Sequence, residues 1–411
     1  MKKIALIVQR YGLEVNGGAE YHCRILAEQL KSIYQVDVLT SCALDYVDWA
    51  NYYPEGKTII NDIQVIRFPT LYKRQDELFA KMTKKLSLFT EHKKHIFRDI
   101  YYKLLPLVRR NTIRKYSKLW TNYQGPYMPG LLDYLKNNHQ QYDAFIFFTY
   151  LYYPTIEGLK IVPSKSILIP TAHDEPPIYL PVFDHLFLLP KAILYNSISE
   201  KQFINQKFHN ESIYSDIVGV GIEPFQGTIH HSVAELLKTD APYLIYIGRI
   251  DPAKGCDILL DYFTRYKERY PSQLKLVIVG KAFMPLPEHP DIIPMGFVEE
   301  EIKVTLLKQA KALVIPSLFE SLSMVTLESF SYGIPVIANA HCEVLKDHIE
   351  LSEAGFLYRD EADFDKAVDS ILADKVEGMA TKAMYYVSKH YTWSRIIEKV
   401  AKAVDYVTAK V

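Results

Sequence analysis

Two glutamates eight positions apart stand in the segment Pro316-Ser-Leu-Phe-Glu320-Ser-Leu-Ser-Met-Val-Thr-Leu-Glu328-Ser-Phe-Ser-Tyr-Gly333-Ile-Pro335. The apolar run Ala312 to Ile315 before them reads as a strand, and the pattern from about Ser323 to Gly333 reads as a helix. Glu320 then lies on the loop after the strand, and Glu328 about one and a half turns into the helix. A carboxylate on that loop can accept hydrogen bonds from ligand hydroxyls. The helix start offers unpaired backbone N–H groups to an anion at the same place. A sugar nucleotide carries both pieces, hydroxyls and a diphosphate. Spacing alone favours two glutamates on the surface that meet nothing, because such Glu pairs are common.

A second segment changes the weighing: Tyr243-Leu-Ile-Tyr-Ile-Gly248-Arg249-Ile-Asp-Pro-Ala-Lys254-Gly255. It reads as a strand, a glycine turn bearing one Arg and one Lys, and a helix start. Arg as a planar fork and Lys as a point charge suit phosphate. With both segments in view, the chain resembles the retaining glycosyltransferases of family four, which have the GT-B fold. The first segment is similar to their E-x7-E motif and the second to their G-R-[x]4-K diphosphate turn. The resemblance continues through Val279-Gly280, Gly296-Phe297-Val298 and Gly333-Ile-Pro-Val-Ile, covering roughly Ala241 to Tyr391.

Composition fits a soluble enzyme. A chain of 411 residues is long enough for two domains, each with its own core. Lys and Arg balance Asp and Glu at 48 each, which argues against nucleic acid as a main partner. Cys23, Cys42, Cys256 and Cys342 are scattered without a CxxC pair, as ordinary thiols of a reducing cytoplasm. Met1 to Val8 has a basic start and an apolar run, but the run is too short for a signal peptide and Gln9-Arg10 interrupts it, so a buried first strand is expected. No apolar run reaches the ~20 residues needed to span a bilayer.

Strands alternating with helices predict parallel α/β sheets in both halves. Strands are expected at 3–9, 36–40, 63–68, 144–149, 167–170, 192–196 and 213–218, then at 243–247, 274–279, 312–315 and 336–338. The resemblance implies two Rossmann-like domains facing across a cleft. Residues 1–221 form the acceptor-side domain, 222–240 a linker, 241–391 the donor-side domain, and 392–411 a helix crossing back to the first domain.

In the first strand-to-helix turn, Asn16-Gly17-Gly18-Ala19-Glu20 lets backbone approach a ligand closely. It is not the G-x-G-x-x-G of a dehydrogenase. A tight turn explains the glycine pair as well; the resemblance makes Gly17 and Gly18 a loop facing the donor diphosphate. His173, in Pro170-Thr-Ala-His173-Asp-Glu, follows another apolar strand, at the strand end where open α/β sheets bind ligands. The resemblance implies contact with the donor sugar. Asp174 and Glu175 serve either the acceptor or a capping cluster.

Residues 73–118 contain 14 Lys or Arg against four acids. Phe97, Tyr101, Leu104, Leu105 and Val108 recur at helical spacing. Two readings stand: an apolar face packed on the first domain, and a basic surface laid on an anionic membrane. Trp120, Tyr123 and Tyr127 beyond it are acceptor-side candidates. Asp363-Phe364-Asp365 is formally a DxD, but its place at a helix start favours dipole charge over metal binding. No metal and no cofactor are expected, and the leaving diphosphate falls to Arg249, Lys254 and the helix near Ser323.

The resulting expectation is a metal-independent, retaining transfer of a sugar from a nucleoside diphosphate to a hydroxyl of a glycan or lipid-linked acceptor, in cell-surface polysaccharide assembly. The enzyme would be cytoplasmic and peripheral on the inner face of the cell membrane. His173, Arg249, Lys254 and Glu320 are the catalytic candidates. Donor-binding candidates are Gly17, Gly18, Gly248, Phe297, Val298, Ser321, Leu322, Ser323, Met324, Val325 and Glu328. Phe297 and Val298 border the base and Glu328 holds the ribose. Many relatives have a glycine-rich loop where this chain has Ser321-Leu-Ser323, which bears on sugar choice. The alternatives are a sugar-nucleotide epimerase or phosphorylase on the same fold, and a non-catalytic sugar-nucleotide-binding protein.

Overall fold

Runs such as Lys3–Ile7 (KIALI) and Ala144–Phe148 (AFIFF) are apolar without alternation, the mark of strands buried on both faces. A computed structural model of the chain, describing residues 1–15, 17–90 and 106–409, places them at the centre of a parallel sheet. The chain divides into two units: Met1–Val218 with Ile397–Val411, and Gly219–Ile396.

The first unit holds β1 (Lys3–Ile7), β2 (Gln35–Ser41), β3 (Gly56–Ile60), β4 (Ile63–Phe68), β5 (Ala144–Phe148), β6 (Ser166–Ile169), β7 (Ala192–Tyr195) and β8 (Tyr214–Ile217), in the order β3-β4-β2-β1-β5-β6-β7-β8. All pair in parallel except β3, which runs antiparallel to β4. The second unit holds β9 (Tyr243–Ile247), β10 (Lys275–Val279), β11 (Ile292–Gly296), β12 (Ala312–Ile315), β13 (Val336–Asn339) and β14 (Gly355–Tyr358), all parallel, in the order β11-β10-β9-β12-β13-β14.

Strands β3, β11 and β14 lie outside the expectation from sequence. Each is a sheet edge, and none carries a long apolar run: β3 alternates half-buried with exposed residues, and β11 (IIPMG) contains a proline.

Both orders reverse direction beside a central strand, between β1 and β5 and between β9 and β12. Ligands of open α/β sheets bind beyond the carboxyl ends of strands at such a reversal. The loops leaving β9 and β12 are the ones that carry Arg249, Lys254 and Glu320. The sheets are covered by helices; those used below are α1 (Gly18–Leu30), α2 (Asp76–Leu86), α3 (Pro106–Gln124), α4 (Pro129–Asn138), α5 (Tyr153–Gly158), α6 (Ile198–Phe208), α7 (Val233–Leu237), α8 (Cys256–Arg269), α9 (Glu300–Gln309), α10 (Met324–Ser331), α11 (Glu343–Ser352), α12 (Glu361–Leu372), α13 (Met379–His390) and α14 (Trp393–Thr408). The stretch from Gly219 to Asp240 contains α7, with a Ser232–Glu235 capping box.

The last helix, α14, packs its residues beyond Ile396 on the first unit. Tyr406 stacks on Tyr214 at 4.4 Å between ring centroids, Lys399 Nζ donates to the Ile217 carbonyl, and Lys2 pairs with Asp405 at 2.7 Å.

Candidate functional site

The turn after β9 begins where three glycines lie side by side. Gly248 N–H donates to Val279 O at 2.9 Å, and Gly280 N–H to Gly296 O at 2.8 Å. A Cβ on Gly280 would stand 1.8 Å from the Gly248 carbonyl oxygen, so only glycine permits this approach. Asp251 then organises the turn. Its side chain accepts from Lys254 N–H at 2.9 Å and forms an ion pair with Arg249. Gly255 closes the turn at φ +73°, and a Cβ there would lie 2.5 Å from Pro316 O. That approach sets the turn against the loop after β12.

The consequence is a meeting of residues 66 apart in sequence: Lys254 Nζ lies 2.7 Å from Glu320 Oε1. The lysine is 31 % and the glutamate 17 % exposed at the side chain, enough for both to be reached from solvent. The loop continues through Ser321 and buried Leu322 to Ser323, which caps α10 at φ +58°. Left-handed backbone favours glycine, yet here it is held by a serine. The Ser323 hydroxyl is 2.8 Å from Thr326 Oγ1 and buried. It is bonded within the helix start, which leaves Ser321 as the more accessible serine. Met324 and Val325 form the first turn of α10, with their N–H groups at its positive end.

Glu328 is one turn further on. Its Oε2 lies 2.9 Å from Lys303 Nζ, and the same amine reaches Glu300 Oε1 at 2.8 Å. Burial pushes the Glu328 carboxyl above its usual range, against the pull of Lys303. For Lys303 burial favours the neutral amine, but the two carboxylates outweigh it and raise its pKa. Lys303 is absent from the expectations drawn from sequence. Its signal there is slight: it sits in the first turns of α9, just after Phe297-Val298. Phe297 is 74 % exposed, an open aromatic face beside that helix start.

In the first unit, Gly17 caps α1 with extended backbone, and what demands glycine is space. A Cβ there would lie 2.2 Å from Glu20 Oε2 and 3.0 Å from Arg10 Nη2. Arg10 and Glu20 form a buried ion pair, Nε to Oε1 at 2.8 Å, which the sequence pattern does not single out. Gly18 follows as the first residue of α1, and Asn16 lies outside the described residues. His173 stands beyond β6, its Nδ1 3.7 Å from Glu175 Oε1. Glu175 in turn accepts from Tyr150 OH at 2.7 Å, and Asp174 from Tyr179 OH at 2.6 Å. The residue before His173 is pinned by Glu200, buried on α6, whose two oxygens accept from Ala172 N–H and Asn196 N–H at 2.5 Å each. Burial pushes the Glu200 carboxyl up to about 8, against those backbone bonds.

Trp120 is not an acceptor-side residue: it is fully buried, donates to Thr83 Oγ1 at 2.9 Å and packs edge-on against Phe183. Tyr123 and Tyr127 pack around Tyr72 at the margin of the same core. In the basic segment, Met82 and Leu86 of α2 are buried in the domain core, whereas Val108, from the apolar positions named above, is exposed, as are Lys81, Lys84, Arg109, Arg110, Arg114, Lys115 and Lys118. Phe97, Tyr101, Leu104 and Leu105 lie outside the described residues. Asp363 stands in the first turn of α12 and Asp365 just beyond it; Asp365 pairs with Arg269 at 2.7 Å and Asp363 with Lys366 at 3.2 Å.

Residues 241–374 match the family model described as "Glycosyl transferases group 1". An uncharacterized glycosyltransferase of Methanocaldococcus jannaschii is 25 % identical over 226 residues, which are 49 % of this chain and 57 % of the relative. The match thus spans little more than half of that relative's length. Among solved structures, sucrose-phosphate synthase from Thermosynechococcus elongatus superposes with a TM-score of 0.65 at 17 % identity, covering 98 % of both chains. Anabaena HepE in complex with UDP-glucose superposes with a TM-score of 0.67 at 15 % identity, covering 98 % of this chain and all of the other. The chain therefore has the GT-B fold of α/β parallel-sheet units and carries a group 1 glycosyltransferase domain in its second unit.

Proposed function

We propose that this chain, built on a GT-B fold with a group 1 glycosyltransferase domain, is a retaining glycosyltransferase of the family-four type, moving a sugar from a nucleoside diphosphate to an acceptor hydroxyl. The observation that carries the reading is the Lys254–Glu320 contact, which unites the glycine turn after β9 with the loop after β12. A cation for the diphosphate and a carboxylate for sugar hydroxyls then share one place, at the sheet's point of reversal. The HepE complex with UDP-glucose supports a nucleotide sugar as donor.

On this reading, donor binding exchanges partners. Lys254 passes from Glu320 to the diphosphate, and Glu320 to sugar hydroxyls. As the glycosidic bond breaks, negative charge grows on the diphosphate and is met by Arg249, Lys254 and the N–H groups opening α10. Glu328, kept in place by Lys303, accepts from the ribose, and exposed Phe297 with Val298 borders the base. A departing phosphate oxygen takes the acceptor proton, so no protein nucleophile is required. The acceptor is a glycan or lipid-linked saccharide of a cell-surface polymer.

Thermal shift with UDP-, GDP- and ADP-sugars, followed by donor turnover with and without lipid-linked or soluble glycan acceptors, tests the proposal. Turnover that depends on an acceptor, gives a retained anomer and survives EDTA is expected. Rearrangement or phosphorolysis of the sugar in solution identifies the epimerase or phosphorylase instead, and binding without turnover identifies a sensor.

A further inference from the structure

We infer that His348 is a positioning residue for the loop that carries Glu320: its Nε2–H holds the Leu322 carbonyl and thereby sets the direction of the Glu320 carboxylate and of the N–H groups opening α10. The inference rests on the reading above, that this loop meets the donor.

His348 lies on α11 and is 2 % exposed. Its Nε2 is 2.6 Å from Leu322 O, and its Nδ1 is 3.1 Å from Tyr386 OH on α13. A carbonyl oxygen only accepts, so Nε2 carries the hydrogen. A neutral imidazole then has a lone pair at Nδ1, which accepts from Tyr386. The Tyr386 oxygen, 3.3 Å from Tyr391 OH, accepts in turn from that hydroxyl. Every hydrogen in the chain Tyr391, Tyr386, His348, Leu322 therefore has one direction. Burial holds the imidazole well below its usual range and keeps it neutral, so this pattern persists across ordinary pH.

The loop has a second anchor at its other end, where Asn339, the last residue of β13, donates from Nδ2 to Pro316 O at 3.0 Å. Between the two anchored carbonyls stand Leu318 and Phe319, each 40 % exposed, and Glu320. The exposed middle is held by its two buried ends. A histidine that merely filled the core would not need a donor aimed at this carbonyl, because Leu322 O sits in the one segment joining Glu320 to α10.

The test compares His348→Leu, which fills the space without the donor, with His348→Gln, whose amide nitrogen can replace Nε2. Two readouts are taken on the full chain: backbone hydrogen exchange of residues 320–325, and kcat and KM for whichever of UDP-glucose, GDP-mannose and ADP-glucose the unmodified chain hydrolyses fastest. His348→Leu is expected to speed exchange in that segment and to lower kcat ~10-fold or more, since a small misplacement of catalytic groups is costly. KM should change by less than about threefold, because Glu328 and Phe297 still hold the nucleoside. His348→Gln should restore most of both. Unchanged exchange and kcat in His348→Leu, or equal losses in both variants, overturn the inference. If His348→Leu does not fold, Tyr386→Phe frees Nδ1 and should move both readouts in the same direction; no movement is equally decisive. A chain that binds and hydrolyses none of the three sugars refutes the donor reading, while hydrogen exchange still decides whether His348 holds the loop.

Discussion

Arg249 and Lys254 share a turn but are held differently, Arg249 by Asp251 within the turn and Lys254 by Glu320 across it. Both should contribute more in the transition state than in the ground state, because the diphosphate gains charge as the bond breaks. Arg249→Ala is therefore expected to lower kcat by ~10² or more with a smaller change in KM; near-normal turnover would remove Arg249 from the mechanism. His348 carries a stability prediction of its own. Its pKa falls from an ordinary 6.5 to about 4 in the folded chain. Between those values the unfolded chain binds the proton and the folded chain does not, so stability is intact above about pH 6.5 and lost as pH falls toward 4. The loss is on the order of 3 kcal/mol, from 1.36 kcal/mol per pKa unit. Urea unfolding of His348→Gln from pH 7 to 4 should show a shallower decline than the unmodified chain.

Two strand–loop–helix elements build the candidate site, β9 to α8 and β12 to α10. Besides the Lys254–Glu320 contact, backbone joins them: Gly255 at φ +73° against Pro316 O. Gly255→Ala adds a Cβ where there is no room and imposes left-handed backbone on an L side chain, so unfolding free energy should fall by about 1–3 kcal/mol. Nucleotide binding should weaken more than in a variant of equal stability altered elsewhere, and equal weakening would separate Gly255 from the site. The basic helices illustrate a pattern with two outlets. In α2, Met82 and Leu86 face the core, while in α3 Leu107 and Val108 are exposed beside Arg109 and Arg110. Amphipathic spacing alone does not say whether a core or a lipid surface receives the apolar side.

For the molecule as a whole, net charge is zero, yet α3 carries exposed Arg109, Arg110, Arg114, Lys115 and Lys118 with no acid, beside exposed Lys81 and Lys84 of α2. Among the described residues no helix is long and apolar enough to cross a membrane. If those exposed cations meet an anionic leaflet, each contributes about 1 kcal/mol. Liposome flotation should then show binding to anionic vesicles that weakens with salt, since charges are screened over ~8 Å at physiological ionic strength. Changing Lys81, Lys84, Lys115 and Lys118 to Glu should release the chain while sparing donor hydrolysis; equal binding to neutral vesicles would leave the segment a solvated face. The alternation of buried strands with helices, and the order Gly248-Arg249, Lys254, Glu320, Glu328, were legible in the residues, because periodicity and turn chemistry act over a few positions. The edge strands β3, β11 and β14 were not, since pairing with a neighbour and not their own composition makes them strands. Nor were Lys303 against Glu328, Arg10 against Glu20, or His348 against Leu322. Those pairs depend on strand order and on which helix covers which strand, and only the tertiary structure decides that, because packing joins residues whose separation along the chain carries no local signal.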